Sequence, residues 1–146
     1  MSAQTIAMAC DHAGFDLKEL LKRELQAAGH EIVDLGTSSP QSVDYPDFGM
    51  ALARAIRDGR AARGVLVCGT GIGIAIAANR EPAVRAAVVH DSTSARLARQ
   101  HNDANVIALG ARLIGAEVAK DCLRIFLETP FEGGRHTARV AKLSAH

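Results

Sequence analysis

The sequence predicts a doubly wound, Rossmann-like α/β fold, a five-stranded parallel sheet with an extra C-terminal helix, and three observations carry that prediction. Short apolar runs alternate with amphipathic segments along the whole chain, a pattern that requires parallel strands joined by right-handed crossovers. The core must be aliphatic, because 48% of the residues are hydrophobic and only 3% are aromatic, which suits a sheet covered on both faces. Residues 64–79 read Gly-Val-Leu-Val-Cys-Gly-Thr-Gly-Ile-Gly-Ile-Ala-Ile-Ala-Ala-Asn, a strand, a tight glycine loop and a helix in succession.

The elements follow in order. Thr5 to Cys10 is a strand, and Asp11-His12-Ala13-Gly14 leads into a helix with Leu17, Leu20, Leu21, Leu25 and Ala28 on one face. Gly29 ends that helix, and Glu31 to Leu35 supplies the second strand. The polar, proline-marked loop Gly36 to Pro46 precedes a helix beginning near Asp47, with Phe48, Leu52 and Ile56 facing inward. The third strand, Val65 to Val67, enters the glycine loop. Val84 to Val89 is the fourth strand, His90-Asp91-Ser92 its exit, and Ser92 to Arg99 a short helix. Asn105 to Leu109 is the fifth strand. After Gly110-Ala111-Arg112, a helix from about Gly115 to Leu127 is expected to bury Ile114, Val118, Cys122, Ile125 and Phe126. Pro130 and Gly133-Gly134 separate it from a last, basic helix, which has no following strand to cover and is expected against a partner subunit or its own sheet.

A chain of 146 residues is long enough for one domain with a real core and too short for a nucleotide domain plus a substrate domain. The net charge of +1, without a basic tract, advertises neither a nucleic-acid nor an anionic-membrane face. Cys10, Cys68 and Cys122 are odd in number and fit no metal spacing, so free thiols in a reducing, cytoplasmic compartment are expected. No run approaches the ~20 apolar residues of a membrane helix.

Ligands of doubly wound sheets bind beyond the carboxyl ends of the strands, where Asp11, His12, Cys68, Asp91, His101, Asn102 and Arg112 are expected to gather. The glycine loop alone is ambiguous. Gly69 and Gly71 fit a dinucleotide fingerprint, but Ile74 stands at its third glycine, and the lysine and hydroxyl of a phosphate-binding Walker loop are absent. A turn that lets strand and helix pack closely would read the same. Cys68 fits a buried strand end, but backbone donors at a helix start follow it, the setting in which a thiol becomes a base. His101 fits a local cap or a proton-transfer group. Arg112, Arg135 and Arg139 are surface cations unless they converge, in which case their guanidinium forks suit a phosphate. His30, His90, His136 and His146 show no ligand spacing and read as surface or local-structure residues, while Cys10 and Cys122 read as core.

Five segments then carry a resemblance. They are Cys-Asp-His-Ala-Gly-Phe at 10–15, Asp-Tyr-Pro at 44–46, Cys-Gly-Thr-Gly-Ile-Gly-Ile-Ala-Ile-Ala-Ala-Asn at 68–79, Arg-Gln-His-Asn-Asp-Ala-Asn-Val at 99–106 and Gly-Gly-Arg-His at 133–136. Together they closely resemble ribose-5-phosphate isomerase type B, within the family that also holds allose-6-phosphate and galactose-6-phosphate isomerases. The resemblance implies one isomerase domain over residues 1–146 and aldose–ketose isomerisation without metal or organic cofactor. It implies that His101 opens the furanose ring near Asp11, that Cys68 removes the C2 proton, and that Gly69, Thr70, Gly71, Ile72 and Gly73 hold the enediolate. It moves the phosphate from the glycine loop to His12, Arg112, Arg135 and Arg139, with Asn102 on the sugar. A homodimer or tetramer with sites shared between subunits is implied too. One branch of the family replaces the cysteine by a glutamate just after the loop. Here Ile74 stands at that position and Cys68 is present, as in the cysteine branch. Two alternatives stay open: the same chemistry on erythrulose 4-phosphate, allose 6-phosphate or galactose 6-phosphate, and a non-catalytic nucleotide- or phosphosugar-binding module.

Overall fold

The structure, a computed structural model, describes residues 2–145. The reading of His146 therefore lies outside the described residues. In chain order the elements are β1 (Thr5–Cys10), α1 (Phe15–Ala27), β2 (Glu31–Asp34), α2 (Tyr45–Arg57), β3 (Arg63–Cys68), α3 (Ile72–Ala78), β4 (Ala86–Val88), α4 (Ser92–Asn102), β5 (Val106–Gly110), α5 (Ala116–Glu128) and α6 (His136–Leu143). All strand pairings are parallel, in the order β2-β1-β3-β5-β4. β1 and β3 are neighbours, and the chain leaves them in opposite directions across the sheet. Their carboxyl ends flank the crevice where such sheets bind ligands.

Strand side chains alternate between two cores, as a period of two requires. Ile6, Met8, Cys10, Val65, Val67, Ile107 and Leu109 face α1, α4 and α5. Ala7, Ala9, Leu66, Cys68, Val106 and Ala108 face α2 and α3. The second face is rich in alanine, so its helices approach the sheet closely. A Cβ on Gly49 of α2 would stand 2.7 Å from the Ile74 carbonyl of α3. Cys10 and Cys122 lie in the first core, as expected, and burial pushes both thiols up to about 11.

Several boundaries differ from the sequence reading for physical reasons. α2 starts at Tyr45 because Pro46 falls in its first turn, where proline's missing N–H costs nothing. β4 shrinks to Ala86–Val88 at the sheet edge, and Val88 is exposed. Ala28 caps α1 and is exposed, as is Val118 on the outer face of α5. α6 packs on α4, and of its residues only His136 is buried.

Candidate active site

The crevice is built from three chain crossings. At the end of β1, Asp11 is buried, and its Oδ1 accepts the Gly14 N–H at 3.1 Å. His12 next to it accepts the Val43 N–H on Nδ1 at 3.1 Å. That bond fixes the tautomer, leaving Nε2 as the donor, and ties the 36–44 loop to the crevice. The loop's start is held from beneath by Lys18, which is fully buried, donates to Asp34 Oδ1 at 2.7 Å and to the Thr37 carbonyl at 2.9 Å, and was not singled out from the sequence. Its place on the apolar face of α1 disguises it as a breach in the pattern.

Cys68 ends β3, buried on the α2–α3 side, and the Gly71 N–H donates to its Sγ at 3.2 Å. The Ile72 N–H donates to Thr70 Oγ1 at 3.2 Å. Gly71 has φ +78°, and a Cβ there would stand 2.9 Å from the Leu109 carbonyl carbon. The loop is thus wedged against the end of β5. Beyond the Cys68–Gly110 pair the β3–β5 pairing continues: the Ala111 N–H donates to the Cys68 carbonyl at 2.9 Å and the Arg112 N–H to that of Gly69 at 3.0 Å. Arg112 folds its side chain over the loop, so that a Cβ on Gly69 would lie 3.0 Å from Nη1. Opposite it, Tyr45 lies against Gly73, where a Cβ would meet the ring at 2.5 Å. The sequence reading placed Tyr45 in a matching segment without giving it a part in the site. Ile72 and Ile76 leave an apolar face of α3 exposed beside this loop.

Asp11, His12, Cys68, Gly69, Thr70, Gly71, Ile72, Gly73 and Arg112 therefore come together at the carboxyl end of the sheet, with Asp91 at the carboxyl end of β4, where it caps α4 through the Ser94 N–H at 2.6 Å. His101 and Asn102 do not join them. The sequence reading ended α4 near Arg99, whereas the helix continues through Asn102 and returns the chain to the amino end of β5. Cys68 pairs with Gly110 and Gly64 with Val106, so the strands alone separate the two ends by about 13 Å. A helix that links two parallel strands must end where the next strand begins, and the position of His101 just before a strand was the signal to its place.

Arg135 and Arg139 follow His101. Arg135 caps α6, Arg139 lies four residues on, and both are exposed. His136, read as a surface or local-structure residue, is buried instead, its ring stacked on His101 at a centroid distance of 4.5 Å and 14° from parallel. Burial, the neighbouring His101, and Arg135 and Arg139 push its imidazole below the usual histidine range, with Glu132 pulling the other way. His30 is buried too, with Nδ1 accepting the Gln4 N–H at 3.0 Å. His90 is half-buried, and its Nε2 has no hydrogen-bond partner among the described residues.

No described helix is long and apolar enough to cross a membrane. The family model for ribose/galactose isomerases matches residues 6–143. Ribose-5-phosphate isomerase B of Escherichia coli strain K12 is 45% identical over 140 residues, which cover 96% of this chain and 94% of that protein. D-erythrulose-4-phosphate isomerase of Pectobacterium atrosepticum is 44% identical over 140 residues, covering 95% and 92%. Among solved structures, a ribose 5-phosphate isomerase of Thermotoga maritima matches with a TM-score of 0.96 and 48% identity, over 99% of this chain and 100% of that one. A catalytic family, rather than the binding module weighed from the sequence, is what the chain matches throughout, and it belongs to the ribose/galactose isomerases.

Proposed function

We propose that this protein interconverts ribose 5-phosphate and ribulose 5-phosphate through a cis-enediolate, as one isomerase domain spanning residues 1–146. The carrying observation is the buried Cys68 sulfur facing a glycine loop, with Asp11, His12 and Arg112 around the same crevice. His101 opens the furanose: the C1–O4 bond breaks, the O1 proton leaves and O4 gains one. Cys68 then takes the C2 proton, and the electron pair passes to the carbonyl oxygen at C1. Backbone groups of Gly69, Thr70, Gly71, Ile72 and Gly73 hold the resulting enediolate, an oxyanion-hole role. Transfer of the O2 proton to O1 and reprotonation at C1 give the ketose, HO–CH2 at C1 and a carbonyl at C2. His12, Arg112, Arg135 and Arg139 hold the phosphate and Asn102 the sugar. No metal or organic cofactor takes part.

The working unit is at least a homodimer, with His101, Asn102, Arg135 and Arg139 supplied by the second copy. Two observations support that assembly. Those residues sit at or follow the amino end of the sheet, away from Cys68, and the exposed Ile72 and Ile76 offer the second copy an apolar face next to the loop. The three free thiols support a cytoplasmic setting.

A second reading keeps every role and moves the substrate to a four-carbon sugar phosphate, favoured by the similarity to the D-erythrulose-4-phosphate isomerase. Initial rates on ribose 5-phosphate, erythrulose 4-phosphate, allose 6-phosphate and galactose 6-phosphate, with and without a chelator, decide between them. A chelator-insensitive preference for ribose 5-phosphate is expected. Preference for another sugar transfers the assignment, and inactivity on all four overturns it.

A further inference from the structure

His136 is the one buried residue of α6, and it is buried against His101. A general hydrophobic anchor would not need an imidazole there. The local backbone is arranged around the pair. The Glu132 N–H donates to the Gln100 carbonyl at 3.1 Å, fixing the incoming segment to the residue before His101. Gly133 and Gly134 then both take positive φ, +67° and +55°, a backbone that side chains disfavour. The His136 N–H closes the turn on the Gly133 carbonyl at 3.0 Å. This reversal sets the His136 ring flat on the His101 ring and brings Glu132 Oε1 within 3.6 Å of His136 Nε2.

Donor atoms of His101, Glu132 and His136 lie within 4.8 Å of one another, which is the spacing of a metal site. The rings are only 14° from parallel, however, so their in-plane lone pairs run side by side and do not meet at one point. Chelation is therefore not what the geometry serves. Flat stacking is. An aromatic face in contact with an imidazole removes its freedom to rotate about the ring axis, and it accommodates that imidazole charged or neutral.

We propose that His136 is a positioning residue for ring opening, whose imidazole stacks on His101 and holds the His101 ring at the angle at which it meets the furanose oxygens. The groups facing His136 are His101 from α4, Arg135 and Arg139 from α6, and Glu132 from the preceding segment. Burial, His101, Arg135 and Arg139 lower the His136 imidazole from its ordinary value, against the pull of Glu132. The proposal rests on the isomerase reading and on His101 as the ring-opening group.

The test separates ring opening from proton transfer. Ribulose 5-phosphate cannot form a furanose, because its O5 is esterified, so exchange of its C1 hydrogen with solvent deuterium needs Cys68 but no ring step. Turnover of ribose 5-phosphate needs both. For His136→Ala, kcat on ribose 5-phosphate is expected to fall about 10-fold to 100-fold, the scale of a misplaced catalytic group, while deuterium exchange changes less than about 2-fold on the same scale. His136→Phe, which keeps a flat ring, recovers most of the turnover. In a His101→Ala background, His136→Ala adds no further loss. Equal losses of turnover and exchange in both His136 variants would mean that the ring only anchors α6 with Arg135 and Arg139, and would overturn the proposal. Unchanged turnover would overturn it too. His101→Ala is the control: if it fails to separate the two rates, the ring-opening assignment falls instead, and if the unsubstituted protein shows neither rate, the isomerase reading falls.

Discussion

Cys68 and His101 stand at opposite ends of one sheet, the thiol on the last residue of β3 and the imidazole in the final turn of α4, ahead of β5. No rotamer bridges the length of a strand. If both act on one sugar, they come from two copies of the chain. Mixing Cys68→Ala with His101→Ala, each strongly impaired alone, is then expected to restore activity. Half of randomly exchanged dimers are mixed and half of their sites are intact, so recovery approaches about a quarter of the unsubstituted level for a symmetric dimer. Absence of recovery after proven subunit exchange would place both groups in one subunit's site.

Removing the thiol should stop the chemistry and little else. Cys68→Ala is expected to lose at least about 100-fold to 10,000-fold in kcat, the contribution of a positioned base. Its circular dichroism and its affinity for inorganic phosphate should stay close to the unsubstituted protein, because the proposed phosphate ligands, His12, Arg112, Arg135 and Arg139, are on other segments. Normal turnover by this variant would remove Cys68 from the mechanism.

Tyr45 and Gly73 share one space. A methyl at Gly73 would overlap the tyrosine ring, at 2.5 Å from Cε1 and 2.7 Å from Cζ, and the ring is on an exposed, movable side chain. Gly73→Ala is therefore expected to impair kcat/KM more than stability. Adding Tyr45→Ala should relieve the clash, so that the double variant is more active than the sum of the single losses predicts. Gly71→Ala differs, since its φ of +78° and the Leu109 backbone at 2.9 Å leave nothing to move. It should destabilise the fold by about 1–3 kcal/mol, readable as a shifted urea midpoint.

Asp34 links acid stability to the loop over His12. Burial alone would raise its carboxyl, but hydrogen bonds from Lys18, Lys22 and the Gly36 N–H outweigh that and hold it below its ordinary value of 3.8. A carboxyl depressed in the folded state stabilises fully above the unfolded value and loses that contribution as pH falls through the folded one. Lys18→Met should cost about 2 kcal/mol at neutral pH, the worth of a buried charged hydrogen bond. In urea titrations the gap between the variant and the unsubstituted protein should narrow as pH falls below 3.8. A gap that does not change with pH would separate Lys18 from the Asp34 carboxylate.

The sequence by itself determined the parallel α/β fold, the order of its elements and the composition of the crevice that follows β1 and β3. Those are matters of local periodicity and of what a glycine loop can follow, and apolar spacing reports both directly. Cys68, Gly69 to Gly73 and Arg112 were legible because they end or follow strands, so topology leaves them only one end of the sheet. What tertiary structure decided lies in contacts between distant segments. His101 was assigned to the wrong end because α4 runs longer than its apolar pattern and carries the chain back across the sheet. The His101–His136 stack joins residues 35 apart through a double-glycine reversal, and no spacing rule encodes such a meeting. Lys18 lies buried because Asp34 and the Thr37 carbonyl arrive from another strand and loop to satisfy its charge. Hydrophobic patterning says which face of a segment turns inward, and only the folded chain says which polar partners wait there.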